Sequence, residues 1–467
     1  MINFILAAVI SCFNPVDYGA IANDGLDDRI GIQAAVDLAG MSLNGEVCLP
    51  AGRFDVTKAP IGSYNRLAAI STHRKVSIYG AGKSTVLSLI GDQGKATVAL
   101  LSVDPGASDV VIRDLTLDTS YATNTEEQTH ALQIGSSVCS TQYCVPIKNV
   151  SIERVEFIHP PLPGYRKGDC IRLLGNTQQT SVYDVIITDS NFTSCSRSSI
   201  SVQRNVHRLS VTNSYFNKVV DTFVDYEPTG AEPNNGFLLS GCTFVDEPLT
   251  RGQGDYAVTV GGSGVAMTNF VINNNIFYGR GIGLYRVSNG VISGNNINAS
   301  MLTPVGVING ANVVSNVNIS NNFVKRDGYP GPLVRLTSQS GGNPSDIIVN
   351  SNNFVNNTVS SAVYFENVMT SVITNNIFRW TVAAPNEYAV YLRASLFDLH
   401  GIIVSSNSFY SEYGLGYGVL ISSSPYKLNR FILNGNDGYG LTFGAKCIGT
   451  YLPQLSSGQN LFGPISC

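Results

Sequence analysis

Phe270-Val271-Ile272-Asn273-Asn274-Asn275-Ile276-Phe277 carries the phrase that decides the fold: an apolar strand, a polar corner, then Asn followed by an aliphatic or aromatic residue. The same corner returns at Asn191-Phe192, Asn296-Ile297, Asn322-Phe323, Asn353-Phe354, Asn376-Ile377-Phe378 and Asn407-Ser408-Phe409. Where none is skipped the interval is roughly 20–33 residues, the period of a solenoid with one supersecondary unit per repeat. The intervening residues are β-branched and poor in helix formers, so the unit is built of strands. Asn recurring at one corner predicts a stacked amide ladder, with the Phe or Ile beside it filling the interior.

Only 13% of the 467 residues are charged, and Gly, Asn, Ser and Thr are abundant. That balance suits β-coils joined by polar turns and argues against a helical protein. The formal net charge of -4 gives no basic footprint, which points away from nucleic acid and leaves room for a neutral or acidic glycan. Residues 1–12 are largely apolar and too short to span a bilayer. No Lys or Arg precedes the apolar run 3–10, so residues 1–12 read either as a weak signal-like leader or as an arm packed on the body or an assembly partner.

Nine cysteines fit no metal-ligand spacing. Cys139 and Cys144 flank a short loop and suit a disulfide, and Cys447 with Cys467 suits a C-terminal staple. Cys170, Cys195 and Cys242 lie in or near strands, where a free buried thiol is the commoner state. His73, His130, His159, His207 and His400 form no HxH or HExxH arrangement, so no metal and no cofactor is expected. His207, in the turn after Gln203, is the histidine closest to the candidate chemistry.

Residues 13–60 form a capping module. Val16-Asp17-Tyr18-Gly19-Ala20 leads to Asn23-Asp24-Gly25-Leu26-Asp27-Asp28, then Ile32-Gln33-Ala34-Ala35-Val36-Asp37, and finally Gly45-Glu46-Val47-Cys48-Leu49-Pro50-Ala51-Gly52. Asp27 or Asp28 can cap a helix through about Ala39, with Ile32, Ala35 and Val36 on one face. Such a helix covers the open end of a solenoid, where strand edges are otherwise unpaired. Capping and turn chemistry explain Asp24, Asp27 and Asp28 better than a calcium site.

This module resembles that of the pectate-lyase-like superfamily of right-handed parallel β-helices, which holds polygalacturonase-like enzymes, alginate epimerases and phage tailspike depolymerases. The resemblance implies an all-β chain. A single β-helix of about 10–13 coils over residues 61–437 would follow the short capping helix, with a C-terminal cap at 438–467. The superfamily fixes architecture and leaves the reaction open.

Strand parity locates the chemistry, because side chains alternate faces along a strand. In Asp169–Leu174 the inward Ile171 and Leu173 turn Arg172 outward. In Ser198–Gln203 the inward Ile200 and Val202 turn Ser201 and Gln203 outward. In Thr222–Glu227 the inward Val224 turns Phe223, Asp225 and Glu227 outward. Stacking groups Arg172, Ser201, Gln203, Asp225 and Glu227 on one patch, with Asp169, Arg197 and Asp221 at the approaches to the strands. An isolated outward carboxylate is ordinarily a solvated surface residue. Three acids within Asp221–Glu227, in a chain this poor in charge, point instead to an acid and a base flanking one glycosidic bond. The arginines can hold a carboxylate ionised or bind a sugar. A second column, Arg335, Tyr364, Glu366, Tyr391 and Arg393, reads first as an ion ladder, with a distal sugar subsite as the alternative.

Alginate epimerases are similar to this chain in the capping module but carry a Tyr-Gly-x-Asp-Pro-His-Glu type of motif. The comparable stretch here, Phe223-Val224-Asp225-Tyr226-Glu227-Pro228, places Glu227 where that family has His. The Asp-Asp, Gly-His-Gly and Arg-Ile-Lys motifs of polygalacturonases are missing from this central region. The remaining resemblance, to tailspike depolymerases, implies a homotrimeric virion spike attached to a phage tail. It would cut bacterial capsule or O-antigen polysaccharide by two-carboxylate hydrolysis. Asp225, Glu227 and Asp221 would be catalytic, and Arg172, Arg197, Ser201, Gln203 and Asp169 would bind substrate. A secreted polysaccharide lyase or uronate epimerase, or a non-catalytic glycan-binding spike or adhesin, is the alternative.

Overall fold

The computed structural model describes residues 12–466 except 44, 61–66, 95–96, 124–127, 140–143, 160–167, 229–233, 247–255, 263–264, 301–305, 329, 339–341, 397, 424–425, 427, 450–454 and 458–464. The apolar segment 1–11 and Cys467 lie outside the described residues. Two compact units divide the chain, Met1–Val220 and Asp221–Cys467.

In the first unit parallel strands stack on three faces. One face runs Leu67–Thr72, Val98–Val103, Thr129–Ile134, Ile171–Leu173, Ile200–Val202. Another runs from Ser77–Tyr79 through Ser108–Thr123 and Ile147–His159 to Val182–Thr188 and Val206–Thr212. The expected helix spans Arg29–Met41, slightly longer than expected, and buries Ile32, Ala35, Val36 and Ala39. Asp28 occupies the N-cap position without a capping bond. Its carboxylate instead accepts the backbone N–H groups of Ile21 and Asp55. From the helix, the Gln33 amide donates to the Ser71 carbonyl at 2.9 Å and accepts the Ser71 N–H at 2.9 Å. A single side chain thus occupies both polar backbone groups of Ser71 on the first described strand of that face.

In the second unit the amide ladder is complete from Asn275 through Asn295, Asn322, Asn352, Asn376 and Asn407 to Asn436, each 1% exposed. Asn376 shows the pattern. Its Oδ1 accepts both the backbone N–H and the Nδ2 of Asn352 at 2.9 Å. Its Nδ2 donates to the Val349 carbonyl and to Asn407 Oδ1. A left-handed residue precedes every rung: Asn274, Gly294, Asn321, Ser351, Asn375, Ser406 and Gly435. Gly and Asn enter that conformation at least cost, which explains the Asn-Asn and Gly-Asn pairs.

The rung is therefore one residue earlier than the sequence phrase suggests at Asn296 and Asn353. The residue after the rung points outward and the next points in. Phe323, expected inside, is 37% exposed, and Val324 takes the interior position. Phe354, Phe378 and Phe409 stack inward at 5.2 and 5.1 Å. In the first unit Ser190 and Ser214 take the rung positions, and Phe157, Phe192 and Phe216 stack beside them at 4.8 and 4.5 Å.

Disulfides join Cys12–Cys48, Cys139–Cys144 and Cys170–Cys195. Cys447 is also disulfide-bonded, while the buried Cys242 thiol donates to the Ser240 carbonyl. The pairing of Cys170 with Cys195 corrects the expectation of free thiols there. The two cysteines meet with Cα atoms 5.6 Å apart, a closeness that strand spacing along the sequence does not reveal. Asn376→Ala should cost about 2–4 kcal/mol in urea unfolding, because it strands buried donors on Asn352 and an acceptor on Asn407.

Candidate functional site

In the unit Asp221–Cys467, the strand Val224–Tyr226 pairs in parallel with Val258–Val260 and sets Asp225 beside Thr259. Val224 and Tyr226 are fully buried, Asp225 between them is half-buried on the outward side, and Glu227, just past the strand end, is also half-buried. Burial pushes the Tyr226 phenol far above its ordinary range, opposed by a hydrogen bond with Asn234. The residue between the two carboxylates is thus a neutral packing pivot. Glu227 lies against Gly262, where an added Cβ would meet Glu227 Cγ at 2.7 Å.

Asp221 approaches this strand on a segment held from below. Arg280, 1% exposed, donates to the Asp221 backbone carbonyl and grips Asp246 through Nε at 2.6 Å and Nη2 at 3.2 Å. Its guanidinium lies 5.6 Å from the Phe223 ring centroid. Phe223, expected outside, is fully buried. It precedes the strand proper and packs on Phe244 with centroids 5.7 Å apart, so strand alternation does not govern it.

In the unit Met1–Val220, a charged group is centred on a histidine that its sequence context did not single out. His130 and Asp169 are fully buried. The Asp169 carboxylate receives Arg197 Nε at 2.8 Å, Arg197 Nη2 at 2.5 Å and the Ser198 N–H at 3.2 Å. The Asp169 N–H donates to His130 Nδ1 at 3.0 Å, and His130 Nε2 lies 3.4 Å from Arg172 Nη1. Arg172 donates from Nη2 to Gln203 at 3.1 Å. Register sets Gln133, Arg172 and Ser201 side by side. Ser201 is 3% exposed, a short side chain lying lower than its longer neighbours. Gly168 adopts φ +106, and a Cβ there would sit 1.7 Å from the Thr129 carbonyl oxygen. Only glycine admits Asp169 to this buried position.

The first unit therefore brings Asp169, Arg172, Arg197 and Gln203 around His130, and the second carries Asp221, Asp225 and Glu227 on one short segment around the strand Val224–Tyr226. Asp169 has no exposed surface and serves as the counter-ion of Arg197. His207 stacks on Tyr183 at 4.8 Å. The sequence carried no periodic signal for His130, Arg280 or Asp246, whose partners lie 34 to 59 residues away. Among the described residues no three His, Cys, Asp or Glu side chains gather as a metal site.

The stacked parallel strands define a right-handed parallel β-helix. The tailspike protein of Escherichia coli bacteriophage HK620, solved with a pentasaccharide, matches it with a TM-score of 0.56. That match has 13% identity and covers 96% of this chain and 80% of the tailspike. Mannuronan C5-epimerase AlgE6 of Azotobacter vinelandii is 32% identical over 147 residues, 31% of this chain and 16% of the epimerase. Alginate lyase 7 of the same organism is 32% identical over 152 residues, again 31% of this chain and 16% of the lyase. No family model matches the chain.

Burial, followed by the charges of Arg172, Arg197 and the neighbouring His159, holds His130 well below the ordinary histidine range. The unfolded chain takes up a proton near pH 6.5 and the folded chain does not, so stability falls as pH drops below about 6.5, by up to about 1.4 kcal/mol per pH unit. Burial lowers His73 in the same direction. Denaturant titrations of His130→Asn between pH 7 and 5 should therefore show a shallower slope than wild type, with part of the slope retained.

Proposed function

We propose that the chain is a glycan-binding and glycan-cleaving β-helix protein. Its best-supported reaction is hydrolysis of a polysaccharide by Asp225 and Glu227. The supporting observation is the placement of these two half-buried carboxylates on either side of buried Tyr226, Asp225 outward on its strand and Glu227 just past the strand end. That spacing is roughly 6.5–7 Å along the backbone, within reach of one glycosidic bond. Glu227 delivers a proton to the leaving glycosidic oxygen while Asp225 takes one from the water that attacks the anomeric carbon. Each cut consumes one water and leaves a hemiacetal and a free hydroxyl. Asp221 is the reserve acid or base, held by the Arg280 contact to its carbonyl.

The HK620 tailspike and its bound pentasaccharide favour a spike that acts on bacterial capsule or O-antigen, placed on a virion or outside the cell. Homotrimer formation and attachment to a phage tail belong to that same reading. The disulfides suit an oxidising compartment. Among the described residues no helix is long and apolar enough to cross a membrane.

A second reading, elimination or C5 epimerisation of a uronate polymer, is favoured by the segments shared with the epimerase and the lyase. Product mass separates the two. Hydrolysis adds one water per cut, elimination leaves an unsaturated end, and epimerisation alters stereochemistry without shortening the chain. Asp225→Asn and Glu227→Gln should each lower turnover by about 10²–10⁴-fold with thermal unfolding unchanged. Full activity in both variants would overturn the assignment.

A further inference from the structure

The outward column that contains Asp225 continues along the same unit, and its chemistry changes along the way. Register carries it from Asp225 to Thr259, Gly283, Asn309, Arg335, Tyr364 and Tyr391. It reaches Lys446 two strands later, through Leu420. Short side chains fill the first three positions after Asp225, and aromatic and cationic ones the later positions, apart from the buried Leu420. Six strand spacings separate Asp225 from Tyr391, about 29 Å at 4.8 Å each.

The distal end is a connected aromatic tract. Tyr364 and Tyr391 meet edge-on at 5.1 Å, Tyr391 and Tyr388 are tilted at 5.4 Å, and Tyr388 stacks on Tyr417 at 5.2 Å. All four rings are half-buried, so each retains open surface. Cations are interleaved with them. Arg335 lies 5.7 Å over Tyr364, Lys446 lies 4.9 Å over Tyr417 and donates to its hydroxyl at 3.0 Å, and Arg393 is half exposed. Glu366 is tied into the framework. It accepts Tyr364 Oη at 3.2 Å and Ser395 Oγ at 2.7 Å, with Arg393 Nη1 at 3.5 Å.

An ion ladder alone would need neither the tyrosines nor a cation count above the number of acids it pairs with. Arg335 and Lys446 rest on aromatic faces, whereas Glu366 is the carboxylate that pairs with Arg393. Aromatic faces stack on the C–H surfaces of pyranose rings, and guanidinium or ammonium groups pair with carboxylates. We propose that Tyr364, Tyr388, Tyr391 and Tyr417, with Arg335, Arg393 and Lys446, form a second glycan site. Its ligand is a carboxylated polysaccharide lying along the strand stack toward Asp225. The site rests on the glycan reading of the chain, but not on the carboxylate chemistry at Asp225 and Glu227.

Binding without turnover tests it. Affinity electrophoresis on the Asp225→Asn protein uses alginate and polygalacturonate as probes, with carboxyl-reduced alginate and dextran as neutral controls. The site predicts binding of at least one polyuronate, with little binding of the controls. Tyr388→Ala/Tyr391→Ala should weaken that binding by about tenfold or more. Arg335→Gln and Lys446→Gln, both at partly exposed positions, should leave thermal unfolding unchanged, weaken binding and flatten its dependence on salt. In the Asp225 wild-type background, cleavage of short oligosaccharides should survive the tyrosine changes while cleavage of long chains slows. Unchanged polyuronate binding in these variants, equal binding of charged and carboxyl-reduced alginate, or no polyuronate binding at all would overturn the site. Loss of activity in Asp225→Asn with intact binding leaves the distal site standing, and normal activity there would overturn only the catalytic reading.

Discussion

A parallel coil turns a sharp corner in every repeat, and each corner brings backbone polar groups into the interior. The Asn ladder of the second unit answers this constraint with one side chain per coil. Each inner rung, from Asn295 to Asn407, accepts two N–H groups from the rung before and donates to a carbonyl and to the next amide. An amide with both donors and its carbonyl engaged meets the cost of burial, where a lone one would not. Because each rung bonds the next, the corners are locked in register, and every outward column inherits that register. The alignment of Asp225 with Tyr391 across the strands between them is a consequence of this locking.

Two charged groups perform the related task of fixing segments that strands do not fix. Arg280 and Asp246 are both 1% exposed and make a forked pair, with the third contact of Arg280 reaching the Asp221 carbonyl. Asp169 with Arg197 does the same at the start of the strand that presents Arg172. Buried pairs of this kind add little net stability because desolvation offsets their attraction. Their effect is positional, since each pair defines a single place for the chain segment it holds.

Much of this architecture was legible from the residues. The Asn phrase gave the coils, the apolar alternation separated Ile171, Leu173, Val224 and Val202 from Arg172 and Asp225, and the spacing of Ile32, Ala35 and Val36 gave the helix. The exact rung was less legible, because Asn-Asn pairs present two candidates and only the backbone conformation chooses between them. Phe223 and Phe323 were misplaced for different reasons. Phe223 precedes its strand, where alternation does not hold, whereas Phe323 directly follows the Asn322 rung, where the side chain turns outward and the next residue turns in.

By itself the sequence determined the periodic features: parallel coils, an amide corner, an aromatic interior, and the outward position of Asp225 on its strand. Periodicity is written locally, residue by residue, and needs no distant partner to be read. Only the tertiary structure decided that Cys170 meets Cys195, that Asp169 is sealed beneath Arg197 beside His130, and that Arg280 reaches Asp221. These contacts join residues 25 to 59 positions apart across neighbouring coils or, for Arg280 and Asp221, past the coil between them. Such partners are set by how coils of unequal length stack, a quantity that no local pattern records.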